Sequence, residues 1–325
     1  MKNNSYPEIS VIIPVFNCDK YISYAVESVL NQTFPNFELI CVNDGSTDNS
    51  LEILMKMAAK DLRVQVINQP NEGVSQARNV ALEQAKGRYI TFLDADDMLE
   101  SDHLKDMLSL AKQTDADVVV TNFAYFSENN LSDLKKKDMY QNECVHGQTA
   151  LERIFTTSTV TWNKLYKRKC IGNIRFSPKF KIGEDGLFVL EVVRQADIVA
   201  FSSEAKYYYR IRMDGACNNK LSVSAFDGVE SSVLHRSLLL GIDSCFKQIG
   251  DFRVLRACCL LLKRFENYDD EKESYRKQLA TMKKHLKKVY NPLSKNKYIS
   301  WKQHLFIGMY LINDNIAIRT MMKRI

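Results

Sequence analysis

From Ile9 onward, short runs of β-branched and apolar residues alternate with longer stretches in which apolar positions recur every three or four residues. This alternation predicts an α/β domain: a parallel sheet covered by helices, since strands buried on both faces read as continuous apolar runs. Ile9 to Val15 reads as a first strand ended by Pro14, and Tyr21 to Gln32 as a helix with Ile22, Ala25, Val26, Val29 and Leu30 on one face. Phe37 to Val42 is a second strand. Ser46, Thr47 and Asp48 then supply helix-starting oxygens before Leu51, Ile53, Leu54 and Met57. Arg63 to Ile67 is a third strand, Gly73 to Lys86 a helix closed by Gly87, and Tyr89 to Leu93 an apolar strand running straight into Asp94-Ala95-Asp96-Asp97.

Asp117 to Phe123 closes this half, and the polar, lysine-rich Ser127 to Asn142 reads as an exposed loop. Residues 148–213 return to mixed structure. They hold Trp162-Asn163-Lys164-Leu165-Tyr166, then Gly183-Glu184-Asp185-Gly186 before an apolar helix, then a Tyr-rich strand from Lys206 to Arg212. From about residue 220 the pattern is helical and basic. The expected division is a domain over 1–219, with halves at about 7–125 and 126–219, and a helical region over 220–325.

Charge is distributed unevenly. The net charge is +6, yet residues 1–125 hold 10 basic and 18 acidic residues, whereas 220–325 hold 20 basic and 10 acidic. A nucleic-acid binder does not concentrate acid beside its site, so no nucleic-acid partner is expected. The eight cysteines include no C-x-x-C pair, and the reading is reduced, buried thiols in the cytosol. MKNNSYPEIS has no apolar signal-peptide core, and no run of about 18 uncharged apolar residues occurs, so neither secretion nor a spanning helix is expected.

Three features carry chemistry. Asp94, Asp96 and Asp97 leave the end of a buried strand, where ligands of open α/β sheets collect. Such a cluster repels itself unless a cation or solvent screens it, and Mg²⁺ or Mn²⁺ commonly takes one or two carboxylates plus phosphate oxygens. The alternative is a solvated turn whose Asp96 or Asp97 caps the helix at 101–113. The exits of the first two strands, Pro14-Val15-Phe16-Asn17 and Val42-Asn43-Asp44-Gly45-Ser46-Thr47-Asp48, lie on the same edge. Asp44 there can accept hydrogen bonds from a base or ribose, or it can serve only the turn. Arg78, one turn into its helix, can reach a nucleotide phosphate, pair with the acidic turn, or form a salt bridge on its own helix face.

Taken together, ISVIIPVFNCDKYISYAVESVLNQTF, ELICVNDGSTDNS and NEGVSQARNVALEQAKGRYITFLDADD resemble glycosyltransferase family 2, of the GT-A fold, in order and spacing over roughly 7–125. The resemblance implies an inverting transferase that uses a UDP- or similar nucleotide-linked sugar and a divalent cation, Mn²⁺ or Mg²⁺. It implies that Pro14, Val15, Asn17 and Asp44 hold the base and ribose, that Arg78, Asp94 and Ala95 complete the pocket, and that Asp96 ligates the metal. It continues in TWNKLYKR, KIGEDGLF and YYYRIR. There it implies Asp185 as the catalytic base with Glu184 beside it, Trp162 as a sugar-stacking ring or a buried anchor, and Arg212, or Arg210, as a diphosphate contact. The family often has two adjacent acids where this chain has Asn43 before Asp44.

Rival functions lack their cues. A dinucleotide-dependent oxidoreductase needs G-x-G-x-x-G after the first strand, and no G-x-G occurs. A nucleotidyltransferase needs a glycine-rich, basic first loop; a non-catalytic nucleotide-sugar binder has no need to keep Asp94, Asp96 and Asp185 together. The resemblance implies a glycan or lipid-linked saccharide acceptor and bacterial surface-glycan assembly. Lys283, Lys284, Lys287 and Lys288 alternate with Leu279, Met282, Leu286 and Val289, the pattern either of a basic amphipathic helix lying on an anionic membrane or of a solvated helix face packed by its apolar side. The expected location is cytoplasmic, either free or peripheral at the inner face of the membrane.

Overall fold

A computed structural model describes residues 6–127, 130–212, 222–265, 273–291 and 296–312. The chain divides into two compact units, the first comprising Met1–Leu151, Thr159–Pro178 and Phe188–Asn218, the second Glu152–Ser158, Lys179–Leu187 and Asn219–Ile325.

In the first unit β1 (Ile9–Val15), α1 (Ile22–Leu30), β2 (Phe37–Asp44), α2 (Ser50–Ala58), β3 (Val64–Gln69), α3 (Val74–Gln84) and β4 (Tyr89–Phe92) alternate as the periodicity predicts. Every apolar position of β1 except the half-buried Pro14 is buried, and α1 buries Ile22, Ala25, Val26 and Val29. Parallel pairing sets Ile9 opposite both Phe37 and Tyr89, so the carboxyl ends of β1, β2 and β4 finish at one edge of the sheet.

Then follow β5 (Met98–Leu99), α4 (His103–Thr114), β6 (Val118–Ser127), β7 (Asn130–Lys137), β8 (Glu143–His146), α5 (Gly147–Thr156), β9 (Lys164–Lys167), α6 (Arg168–Ile171), α7 (Glu184–Gln195) and β10 (Ile198–Ile211). Among the described residues ten strands form one sheet, with the path β3-β2-β1-β4-β9-β6-β10-β5 and with β7 and β8 paired to β6 and β10. The sheet is mixed beyond β4. Strand β9 enters antiparallel between β4 and β6, whereas β10 runs parallel to β6. Apolar pattern identifies a buried strand but carries no direction, which the connections decide.

The stretch expected as a loop at 127–142 contains β7, an antiparallel edge strand on β6. Its residues 131–137 are exposed on both faces, so no apolar alternation betrays them, and main-chain hydrogen bonds alone define the strand. Lysines 135–137 put charge on its outer surface, a common guard against further pairing.

The second unit contains α8 (Asp227–Ile242), α9 (Lys247–Phe265), α10 (Arg276–Val289) and α11 (Trp301–Ile312) around a core of Phe226, Val229, Val254, Leu255, Leu261, Phe265, Met282, Leu286, Phe306, Ile307 and Tyr310. The apolar face of α10 is thus used up inside its own unit. That overturns the picture of this helix lying on a membrane by that face and leaves Lys284, Lys287 and Lys288 exposed. No helix among the described residues is long and apolar enough to cross a membrane. The cysteines are less uniformly buried than expected. Cys41, Cys170 and Cys258 are buried, but Cys144, on the outward face of an edge strand, and Cys245, in a short turn, are exposed; Cys217 lies outside the described residues.

Two buried histidines link this packing to pH. Burial, and then the charge of Lys206, pushes His103 down to about 4, and burial, and then Arg253, pushes His235 down to about 3. An unfolded histidine titrates near 6.5, so each folded base is depressed. Its stabilisation is complete above about pH 6.5 and is lost as pH falls toward its folded value. Urea titrations between pH 7 and pH 4 are expected to show His103 alone costing about 3 kcal/mol across that range, and His103→Gln is expected to flatten the slope.

Candidate active site

The site grows from the aligned carboxyl ends of β1, β2 and β4. Where β1 ends, Val15 is buried and Asn17 takes a left-handed backbone with φ of 49°, which asparagine tolerates better than most residues. The Asn17 amide nitrogen donates to Ser46 Oγ at 3.0 Å, and its side-chain oxygen accepts from Thr47 N at 2.8 Å. Cys18 N donates to Ser50 Oγ at 2.9 Å and Asp19 N to Asp48 Oδ2 at 3.0 Å. The first strand's exit is laced to the second's by these four bonds.

Asp44 is buried and already occupied. Its Oδ1 accepts from Gln69 Nε2 at 2.8 Å and Glu72 N at 2.9 Å, and its Oδ2 from Gly73 N at 2.8 Å. Gly45 follows with φ of 70°, and a Cβ there would lie 2.6 Å from Asn71 N, so the loop before α3 requires glycine for this approach. Asn43, just before Asp44 at the end of β2, turns its amide to Asn68 Oδ1 at 2.7 Å.

Arg78, 4% exposed, lies over the Phe176 ring and pairs with Asp94 Oδ1 at 3.2 Å, so of the partners open to it the structure places it against the acidic turn. The turn itself is held by β10. The buried Asp97 accepts from Tyr207 Oη at 2.6 Å and from Arg210 N at 2.8 Å, while Tyr207 Oη accepts from Asp94 N at 3.3 Å. Arg210 Nε donates to the Asp96 carbonyl at 2.6 Å, and its guanidinium lies over Phe126 and Tyr21. Asp96 faces outward, with its Oδ2 3.1 Å from Arg212 Nε, and Ala95 between the acids is buried. Neither Asp96 nor Asp97 caps the following helix; α4 begins at His103 with Asp102 in the N-cap position.

Burial, followed by the charges of Asp96 and Asp94, raises Asp97 well above the usual carboxylate range. Burial and the nearby Asp96 carboxylate push the Cys18 thiol up to about 11, which keeps it protonated beside the turn. Trp162 is buried and stacks on Tyr207 with ring centroids 4.3 Å apart and on Tyr209 at 5.5 Å, the anchoring arrangement rather than an open sugar platform. Lys164, fully buried, donates to Asn163 Oδ1 and the Val160 carbonyl, so this motif ties β9 into the sheet. Glu184 and Asp185 form the first turn of α7, in the 179–187 stretch that clusters with the second unit; Glu184 is buried and Asp185 half-buried.

Sequence reasoning overlooked the Asp97, Tyr207 and Cys18 roles. The third acid and the Tyr-rich strand were visible signals, but which residues meet is set by β10 crossing the end of β5, where Tyr207 faces Leu99.

A metal fits here in one way. Among the described residues no group of three or more His, Cys, Asp or Glu could hold a metal ion by itself. The single partly exposed Asp96, beside repelling acids, suits a cation that draws its remaining ligands from a bound diphosphate and water.

A mixed α/β sheet with an acidic turn at the carboxyl edge and a laced pair of strand exits defines a nucleotide-sugar transferase scaffold. Residues 10–193 match the family model described as Glycosyl transferase family 2, and the chain belongs to that family. Glycosyltransferase GlyG of Streptococcus pneumoniae is 31% identical over 263 residues, covering 76% of this chain and 86% of that protein. Glycosyltransferase GlyA of the same species is 33% identical over 219 residues, 63% of this chain but only 31% of that longer protein. The structure of Staphylococcus aureus TarS 1–349 in complex with UDP-GlcNAc superposes with a TM-score of 0.71 at 24% identity, over 97% of this chain and 90% of that one, which shows the fold. In sequence, TarS, a poly(ribitol-phosphate) beta-N-acetylglucosaminyltransferase, is 29% identical over 228 residues, 69% of this chain and 39% of that protein.

Because Tyr207 Oη serves two partners in the turn, Tyr207→Phe leaves a buried carboxylate and a main-chain amide each short of a bond. Urea unfolding is expected to show a loss of about 1–3 kcal/mol, with the sheet retained by circular dichroism.

Proposed function

We propose that this family 2 enzyme is an inverting glycosyltransferase that moves a hexosyl or N-acetylhexosaminyl group from a UDP-linked donor to a hydroxyl of a glycan or lipid-linked saccharide in bacterial surface-glycan synthesis. The observation that carries the reading is the gathering of Asn17, Asp44, the Arg78–Asp94 pair and Asp96 at one sheet edge. The named activity of TarS and its complex with UDP-GlcNAc support the donor class.

In this reading Pro14, Val15 and Asn17 line the base, and Asp44, rigidly held by the 69–73 loop, offers its remaining lone pair to the base or ribose. Arg78 holds Asp94 oriented beside Ala95. Arg212, ion-paired to Asp96, exchanges that partner for the incoming diphosphate, to which a guanidinium offers a planar fork of donors. Asp96 would hold a divalent cation, Mn²⁺ or Mg²⁺, which would supply Lewis-acid relief of negative charge on the diphosphate.

Asp185 takes the proton of the acceptor hydroxyl as that oxygen attacks the anomeric carbon from the face opposite the diphosphate. The C–O bond to the diphosphate breaks with its electron pair, and the configuration inverts. The position of Asp185 in the first turn of α7, between small Gly183 and Gly186 with Glu184 as its only acidic neighbour there, supports this choice. The charge excess after residue 220 supports work at the cytoplasmic face of an anionic membrane.

Two measurements test these roles. Calorimetry with UDP-GlcNAc, with and without chelator, is expected to show metal-dependent affinity that Asp96→Ala abolishes; equal wild-type affinities in both conditions remove the metal from the mechanism. Asp185→Asn is expected to leave donor affinity nearly intact and lower turnover by roughly 10²–10⁴, the usual worth of a positioned base. Glu184→Gln, altering the same local charge, is expected to keep most turnover, and the reverse pattern would make Glu184 the base.

A further inference from the structure

The helices α10 and α11 lie side by side on one core. Met282 and Leu286 of the first and Phe306, Ile307 and Tyr310 of the second enter the same buried cluster. They also touch directly, with Tyr290 Oη 3.2 Å from His304 Nδ1 and Lys283 Nζ 5.5 Å from the Tyr310 ring centroid. A Cβ on Gly308 would lie 2.6 Å from Tyr290 Oη, so the pair is closely seated. Each helix turns its remaining surface away from that core.

That surface has an unusual composition. Along α11, Trp301 is 71% exposed, Leu305 46% and Ile312 86%. Their spacing of four and then seven residues puts them on one helix face, opposite the buried Phe306 and Tyr310. Lys284, Lys287 and Lys288 of α10 and Lys302 of α11 are exposed as well, and neither helix contains an acidic residue.

We infer that the Trp301–Leu305–Ile312 stripe of α11 inserts into the interfacial layer of an anionic bilayer while the lysines of α10 and Lys302 engage the lipid headgroups. This rests on the reading that the enzyme works at a membrane face and names the element that makes the contact. An apolar stripe on a helix pair that exposes four lysines and carries no acid matches an interface whose depth is apolar and whose rim is negative. A second copy of the chain suits it less well, because a two-fold contact would bring together two surfaces of the same strong positive charge. The face that inserts is therefore on α11, whereas α10 supplies charge only.

The test uses the full chain and vesicles of phosphatidylcholine alone or mixed with phosphatidylglycerol. Wild type is expected to sediment with the mixed vesicles only. Emission is expected to shift to shorter wavelength on binding, a signal owed to Trp301 because the other tryptophan, Trp162, is already buried. The triple variant Trp301→Ser, Leu305→Ser, Ile312→Ser alters only exposed positions and is expected to lower vesicle partition at least tenfold with unchanged melting. Replacing Lys284, Lys287, Lys288 and Lys302 by Gln is expected to remove the preference for the anionic lipid. If the triple variant partitions like wild type, with no wild-type emission shift, the stripe is not the contact although membrane binding stands. If wild type binds neither vesicle, the membrane reading itself fails; a concentration-dependent dimer dissolved by the triple variant would instead assign the stripe to a second copy.

Discussion

The carboxylate of Asp97 is buried beneath a turn that carries two further acids, and it stays there because Tyr207 and the Arg210 amide both donate to it. Much of the candidate site depends on this tether. It fixes the turn against β10, aims Asp96 outward and leaves Asp94 in reach of Arg78. An unpaired carboxylate in such a position would be expelled or neutralised, so the geometry of the acidic edge is in effect dictated from behind by a strand more than 100 residues away.

The same economy appears at the other strand exits. Asn17 and Asp44 spend most of their hydrogen-bonding capacity on protein partners, binding one loop to the next. Such commitments favour preorganisation: a pocket whose polar groups are already oriented loses little freedom when a ligand arrives. The pairing of Arg212 with Asp96 is of a different kind. Both side chains are partly exposed, 17% and 23%, so water reaches the contact and weakens it relative to a fully buried pair.

The second unit has its own core and its own chemistry. Its helices bury their apolar sides together and leave basic residues outside, so the charge asymmetry visible along the chain becomes a charged surface on one unit. The apolar stripe on α11 adds exposed hydrophobic area to the same unit, and apolar burial is screened by salt far less than attraction between charges.

By itself the sequence determined the strand and helix succession through β4, the strand exits that carry Asn17 and Asp44, the acidic turn and the transferase family, because each is written in local periodicity or in a run of adjacent residues. Element ends moved by a residue or two, as with α3, read from Gly73 and found from Val74. Tertiary structure alone decided the antiparallel insertion of β9, the strand at β7 and the burial of Trp162. It also decided the use of Asp97 as an anchor rather than a cap, and the choice of α11 over α10 as the helix with an apolar face left open. In each case the deciding partner lies far along the chain or on another helix. Periodicity reports that a residue has an apolar side, but only packing tells which surface covers it.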